Sequence, residues 1–333
     1  MILTATPLRV SLFGGGSDYP EFFMSSPSGG AVLGMAINKY VYVAVQDMHP
    51  GQDSRYRVQY SKVDDCQTVV EIKHPAVKAI LQYYGIDTPL EFHCFGDMPG
   101  RAGLGSSSAF CVGTLKALQL HFNLPTTGSP LDLASEAIAF ERHIIPETVG
   151  FQDQIFAAAG GMNFIEFGPR GSKIQRLALP VERLLELEQS LVLVYSGSMR
   201  DDHKMADKQV AAIPNKSTAI SNLTSLAQQG KEILLDTKQP LSHLGNLLHE
   251  AWVSKRDICP EVTTPDIDAL YMKGLSLGAD GGKLLGAGGG GFFLFFVPPE
   301  RRAFFEHQIG SLCFPFQIAH LGSRVVQLNE TKL

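Results

Sequence analysis

Two rhythms of apolar and polar positions divide the chain. Through the first hundred residues the pattern alternates or runs continuously apolar, which predicts strands at Leu3 to Phe13, Ala31 to Gln46, Arg55 to Tyr60, Thr68 to Ile72 and Leu90 to Phe95. Pro75 to Tyr84 predicts a helix among them. From Ala109 the spacing changes to three and four: Ala109, Val112, Leu115, Leu118 and Phe122 lie on one helix face, and Asn123 and Pro125 stop it. Ser129-Pro130 supplies a capping side chain and a first-turn proline for a second helix. That helix runs through Ala134, Ile138 and Glu141 and ends before Pro146. A short helix from about Asp153 closes at Gly160-Gly161, and Met162 to Phe167 returns to strand. Beyond about Gly168, helices predominate near 203–211, 217–229, 240–256 and 266–277. Strands are predicted at Leu191 to Tyr195, Phe292 to Val297 and Arg324 to Leu328. This change of character puts a domain boundary near 168–180, giving domains 1–170 and 171–333. No repeat or low-complexity tract interrupts either.

The run Pro99-Gly100-Arg101-Ala102-Gly103-Leu104-Gly105-Ser106-Ser107-Ser108-Ala109 pours a glycine-rich loop directly into the first of these helices. Glycine admits tight turns and close approach to a ligand. A first helical turn leaves its N–H groups unpaired at the positive end of the macrodipole. Gly103, Leu104, Gly105, Ser106, Ser107 and Ser108 therefore form an anion seat suited to phosphate, with hydroxyls that can bond phosphate or ligate a cation. The plainer alternative is a capped helix after a flexible turn.

Bulk properties narrow the partners. A chain of 333 residues exceeds one ordinary hydrophobic core, so two domains are expected. A net charge of -5 argues against nucleic acid as main partner but leaves room for a phosphorylated small molecule. The 5 cysteines show neither a disulfide framework nor zinc-site spacing, which suits a reducing cytoplasm. The first residues lack a basic segment followed by an apolar one, and no apolar run is long enough to span a bilayer. The expectation is a cytoplasmic protein acting on small molecules, with no nucleic acid or membrane partner; oligomeric state is left open.

Two further glycine segments lie near the ends of the chain: Pro7-Leu8-Arg9-Val10-Ser11-Leu12-Phe13-Gly14-Gly15-Gly16-Ser17-Asp18-Tyr19 and Leu285-Gly286-Ala287-Gly288-Gly289-Gly290-Gly291-Phe292. The second matches the dinucleotide pattern G-x-G-x-x-G, but a strand of phenylalanines follows where a helix is required. The P-loop pattern is absent too, because Gly282-Lys283 is followed by Leu284. All three glycine motifs, in this order, resemble the GHMP kinases, a family of small-molecule kinases, from Pro7 to Phe296. Within that family, the segment around Gly14 to Asp18, then Gly30 to Val43, and Gly150-Phe151-Gln152-Asp153-Gln154 look like heptose-phosphate kinases. Fucokinase-like members are similar in the first motif.

The resemblance implies a two-domain α+β fold. It pairs an N-terminal α/β domain, akin to a ribosomal-protein domain, with a C-terminal ferredoxin-like α+β domain, and places ATP and sugar in the cleft between them. It implies ATP-dependent phosphorylation of the anomeric hydroxyl of D-glycero-D-manno-heptose 7-phosphate, with Mg2+ as cofactor. A kinase for fucose or unphosphorylated heptose, and a non-catalytic sugar and ATP sensor, are the alternatives. By the same resemblance Asp153 is the catalytic carboxylate and Arg9 its cation, offsetting charge on the transferred phosphoryl group. Ser107 and Glu141 map onto the metal ligands; on residues alone, Glu141 reads instead as a surface carboxylate paired with Arg142 or Lys116. Asp18 maps onto a sugar-hydroxyl acceptor. Gly15 and Gly16 replace the acid and histidine of galactokinases, which opens space for a bulkier sugar. Gly288 and Gly289 would let backbone approach the sugar or the serine loop. Arg200 is the foremost candidate to hold a sugar phosphate, although the neighbouring acids equally suit a solvated helix face.

Overall fold

In the computed structural model, which describes residues 1–126, 128–198 and 202–328, the chain opens with two long strands, β1 (Ile2–Phe13) and β2 (Gly30–Asp47). A short helix, α1 (Pro20–Phe23), lies in the connection between them. The hairpin β3 (Tyr56–Gln59) and β4 (Val63–Cys66) is followed by α2 (Pro75–Tyr83) and β5 (Leu90–Gly96), which leads into α3 (Ser106–His121). Two helices, α4 (Pro130–Ala139) and α5 (Gln152–Ala159), precede the hairpin β6 (Met162–Gly168) and β7 (Gly171–Arg176). The remainder is α6 (Val181–Ser190), β8 (Leu191–Tyr195), α7 (Asp202–Leu235), α8 (His243–Ile258), α9 (Pro265–Ser276), β9 (Gly281–Leu284), β10 (Phe292–Phe296), α10 (Pro299–Gln308), β11 (Cys313–Phe314) and β12 (Arg324–Leu328).

The first sheet has 8 strands in the order β12-β1-β2-β5-β3-β4, with β6 paired to β2 and β7 paired to β6. The 18-residue β2 organises it: one edge pairs with β1, and the other is shared between β6 at residues 30–35 and β5 at residues 41–47. Its first half, Gly30 to Ile37, is apolar and buried on both faces, while from Val41 burial alternates along the strand. Helix α3 packs on β1 through Gly113, where a Cβ would come 2.7 Å from Thr6 Oγ1, and Thr4 Oγ1 donates to the Gly113 carbonyl at 3.1 Å. Helix α7 packs on the same two strands through Gly230, whose missing Cβ makes room for Phe13 and Leu33.

The second sheet has 4 antiparallel strands in the order β11-β8-β10-β9. In sequence order this is fourth, first, third, second, with helices after the first and third strands, the split βαβ arrangement expected of the ferredoxin-like half. Trp252, Tyr271, Phe293, Phe295 and Phe305 stack as its core, with ring centroids 5.2 to 6.2 Å apart.

Two expectations change. Thr68 to Ile72 is not a strand: Val69–Glu71 is a 3-10 turn, and β4 lies earlier at Val63–Cys66. Asp64 is buried inside that strand because its carboxylate accepts the N–H groups of Lys73 and His74 ahead of α2, which disguises the strand's pattern. The segments 203–211 and 217–229 are both helical, as expected: they form the two arms of α7, which meet at a kink where Lys216 leaves helical geometry (φ −126°, ψ 18°), and α7 packs against α8 and β2. The first sheet reaches beyond residue 170, since β7 pairs with β6, and β12 returns to it from the far end of the chain. Among the described residues no helix is long and apolar enough to cross a membrane.

Candidate active site

Arg9 is the hub. It sits on β1, where a register shift between Pro7 and Leu8 re-aims the strand, and its backbone N–H bonds the Leu104 carbonyl at 3.0 Å. Its side chain is buried. Nε donates to Asp153 Oδ1 at 2.7 Å, Nη2 to Asp153 Oδ2 at 2.6 Å and Nη1 to the Gly103 carbonyl at 2.6 Å. One guanidinium thus joins the first glycine motif, the serine loop and the start of α5. Such a bidentate pair is among the strongest and most directional that side chains form. Asp153 is not the N-cap of α5, which falls on Phe151 with no side-chain bond. Arg9 is not the exposed strand residue that its flanking pattern allows.

The serine loop lies against this pair. Gly105, at φ +74°, is the N-cap of α3, and no side chain caps the helix. A Cβ there would fall 3.1 Å from Arg9 Cγ and 3.2 Å from Asp153 Oδ2, so glycine brings the amino end of the helix to the carboxylate. The uncapped N–H groups of the first turn face the same place, a seat suited to a polyphosphate.

Glu141 approaches from the other side. It lies in a π-helical turn, Phe140–Ile144, that continues α4 and swings its carboxylate inward to 1% exposure. Ser108 Oγ donates to it at 2.9 Å and Gln154 Nε2 at 2.5 Å. Burial pushes its pKa up to about 8, with Glu147 and Asp153 adding to the rise against those two hydrogen bonds. The surface pairing open to it from sequence does not occur: Arg142 pairs with Glu21, and Lys116 donates to the Ser323 carbonyl at 2.5 Å. Ser107, expected beside Glu141, is exposed and 3.5 Å from Glu147, while Ser108 takes the place at Glu141. A buried carboxylate with hydroxyl neighbours and no ion pair among the described residues is a hard-oxygen donor set that fits Mg2+. No cluster of three or more His, Cys, Asp or Glu able to hold a metal occurs among the described residues, so substrate oxygens and water would complete such a shell.

Asp18 is buried where the first motif meets α5. Its carboxylate accepts the Gly16 N–H at 2.9 Å and the Gln152 N–H at 3.2 Å. Burial raises its pKa, and Asp153 adds to the rise. A Cβ on Gly150 would come within 2.0 Å of Asp18 Oδ2, which requires glycine in that loop. Gly15 and Gly16 stay partly exposed, and a Cβ on Gly16 would meet nothing within 4 Å. The third motif meets the serine loop, but through other glycines than expected. Gly286 abuts Gly103 and Gly291 abuts Ala102, whereas Gly288 packs on Val262 and the Gly289 N–H bonds the Val262 carbonyl at 2.5 Å. Arg200 lies outside the described residues.

Lys283 completes the site without having been marked by sequence. It reaches from β9 of the second sheet to donate to the Ser11 and Leu12 carbonyls of β1 at 3.1 and 3.0 Å. Burial, and then Arg9, depress its pKa to about 7 against the pull of Asp18. In the sequence it stood out only in the failed P-loop match, Gly282-Lys283-Leu284.

Comparison with known proteins follows the same outline. The model of the N-terminal domain of GHMP kinases matches residues 69–161, and that of the GHMP kinase C-terminal domain matches residues 236–313. A D-glycero-alpha-D-manno-heptose 7-phosphate kinase from Campylobacter jejuni is 28% identical over 300 residues, 86% of either chain. A bifunctional fucokinase/GDP-fucose pyrophosphorylase from Arabidopsis thaliana is 27% identical over 85% of this chain and 28% of its own length. The crystal structure of a D-glycero-D-manno-heptose 1-phosphate kinase from Bacteroides thetaiotaomicron shares the fold, with a TM-score of 0.79 at 23% identity over 99% of this chain and 100% of that one.

Proposed function

This chain belongs to the GHMP kinase family, and from that premise we propose that it is an ATP- and magnesium-dependent sugar kinase acting on the anomeric hydroxyl of D-glycero-D-manno-heptose 7-phosphate. The product is the 1,7-bisphosphate, a precursor of nucleotide-activated heptose for surface polysaccharide. The observation that carries the reading is the bidentate Arg9–Asp153 pair standing at the uncapped amino end of α3. Likeness to the Campylobacter enzyme supports the choice of sugar.

Phosphoryl transfer asks a protein for position and charge rather than covalent chemistry. The N–H groups of the serine loop and first turn hold the β- and γ-phosphates. Glu141, with the hydroxyls of Ser108 and Ser107, would hold Mg2+, which when bound neutralises phosphate charge. Arg9 fixes the Asp153 carboxylate in one orientation, and its charge offsets that gathering on the phosphoryl oxygens. Asp153 accepts a hydrogen bond from the anomeric hydroxyl and orients it. As the bond from that oxygen to the γ-phosphorus forms, the bond from phosphorus to the bridging oxygen breaks and ADP leaves. The hydroxyl proton passes late to Asp153.

A sugar without the terminal phosphate is the second reading. It is favoured by the commitment of Arg9, Lys255 and Lys283 to protein acceptors. Assays of the purified protein with D-glycero-D-manno-heptose 7-phosphate, heptose 1-phosphate, unphosphorylated heptose and fucose, with product position read by NMR, separate the two. Efficient turnover of the 7-phosphate alone is expected; equal efficiency without it removes the phosphate requirement. Asp153→Asn should lose at least about a hundredfold in kcat, the scale of general-base effects. A loss under about tenfold would exclude Asp153 from the chemistry.

A further inference from the structure

Beneath the glycine turn of the first motif, two buried polar groups have no partner among the described residues. Ser11 Oγ, on β1, and Gln152 Oε1, on the first turn of α5, make no hydrogen bond, although their residues are only 5% and 8% exposed. Buried polar side chains are nearly always satisfied, and an orphan needs an explanation. Both side chains converge on Gly15. A Cβ placed there would lie 3.4 Å from Ser11 Oγ and 3.5 Å from Gln152 Nε2, while one on neighbouring Gly16 would meet nothing within 4 Å. Gly15 and Gly16, which adjoin this polar cluster, are partly exposed.

The cluster adjoins the reacting groups. Gln152 immediately precedes Asp153, its backbone N–H is held by Asp18 Oδ2, and the backbone carbonyl of Ser11 is fixed by Lys283. Both side chains are thereby tethered at their backbones with their functional ends unused. A hydroxyl that donates and accepts, beside an amide that does both, matches the vicinal hydroxyls of a sugar ring. Water-facing specificity of this kind arises when a buried polar group stays unpaired unless the correct hydroxyl arrives.

We propose that Ser11 and Gln152 are specificity-determining residues that hydrogen-bond the sugar hydroxyls flanking the one phosphorylated. Gly15 is the position whose lack of a side chain admits the ring between them. The proposal rests on the sugar-kinase reading but not on which sugar is used.

The test varies sugar and ATP separately, using the sugar that the full-length protein phosphorylates fastest among heptose 7-phosphate, unphosphorylated heptose and fucose. Ser11→Ala and Gln152→Met should each raise the sugar KM about tenfold, the scale of one neutral hydrogen bond, with kcat and the ATP KM changed by less than about threefold. A sugar analogue lacking the hydroxyl that a residue reads should cost wild type about tenfold and the matching variant nothing further. Gly15→Ala requires no left-handed backbone and meets no atom nearer than 3.4 Å, so it should fold normally and still raise the sugar KM. Sugar KM values within about twofold of wild type in all three variants, or a parallel rise in the ATP KM, would overturn the assignment while leaving the kinase reading intact. Failure of wild type to phosphorylate any of the sugars would overturn both.

Discussion

Glu141 is the residue whose chemistry departs furthest from its sequence neighbourhood. Between Phe140 and Arg142 it looks like a solvated helix carboxylate, and only the π-helical turn rotates it into the interior. A spacing argument that assumes 3.6 residues per turn cannot anticipate that rotation. Its burial without a counter-charge disfavours the ionised form that a cation would restore. Glu141→Gln keeps the shape and the bonds to Ser108 and Gln154 while removing the charge. We expect kcat to fall by about a hundredfold or more and the Mg2+ requirement to shift to higher concentration, since a bound metal supplies several kcal/mol of charge stabilisation. Thermal melting of the metal-free variant should match or exceed wild type; a marked drop would mean that the carboxylate serves the fold rather than the cation. The serine loop was readable from residue type and order, whereas Arg9 and Asp153 were marked only by the family resemblance. Ser11, Gln152 and Lys283 were not singled out, because a polar residue within an apolar strand or at a helix start carries no periodic signal of what it faces.

At the scale of elements, long amphipathic and aliphatic segments were the legible ones. The limits of β1, β2, α3 and β10 follow from hydrophobic runs bounded by glycine, asparagine and proline. The hairpin β3–β4 was only half visible, because the two aspartates of Val63–Cys66 hide a strand whose inward Asp64 serves backbone N–H groups. Helix α7 was legible at its interruption. Pro214 signals a break, and the backbone leaves helical geometry two residues on, at Lys216. The helix lies close against β1 and β2 at Gly230, where a Cβ would lie 2.6 Å from Phe13. Gly230→Ala should therefore destabilise the protein despite the better helix propensity of alanine. Overpacking costs about 1–3 kcal/mol against about 1 kcal/mol of propensity regained. Urea unfolding that shows the variant to be more stable than wild type would mean that α7 shifts easily on the sheet.

At the scale of the molecule, the two sheets are pinned by side chains that cross between them, and Lys283 is the most deeply set. With its pKa depressed to about 7 from 10.5, the folded protein binds fewer protons there than the unfolded chain does across that interval. Stability contributed through this residue therefore rises as pH goes from about 7 toward 10.5. Lys283→Met abolishes the effect. The melting temperature of the variant minus that of wild type should accordingly decline steadily from pH 7 to pH 10; a flat difference would show that the amine does not change its protonation on unfolding.

The pairing of β12 with the outer edge of β1 has a consequence for how the chain is made. A ribosome adding roughly 5–20 residues per second has long since released β1 and β2 when the last strand emerges, an interval on the order of tens of seconds. Throughout it, the edge of β1 at residues 2–5 stands open to any passing nascent chain. Chaperone demand and aggregation of unfinished product should thus be governed by when residues 324–328 emerge, and a stop ahead of them would leave an adhesive fragment instead of a slightly shortened enzyme.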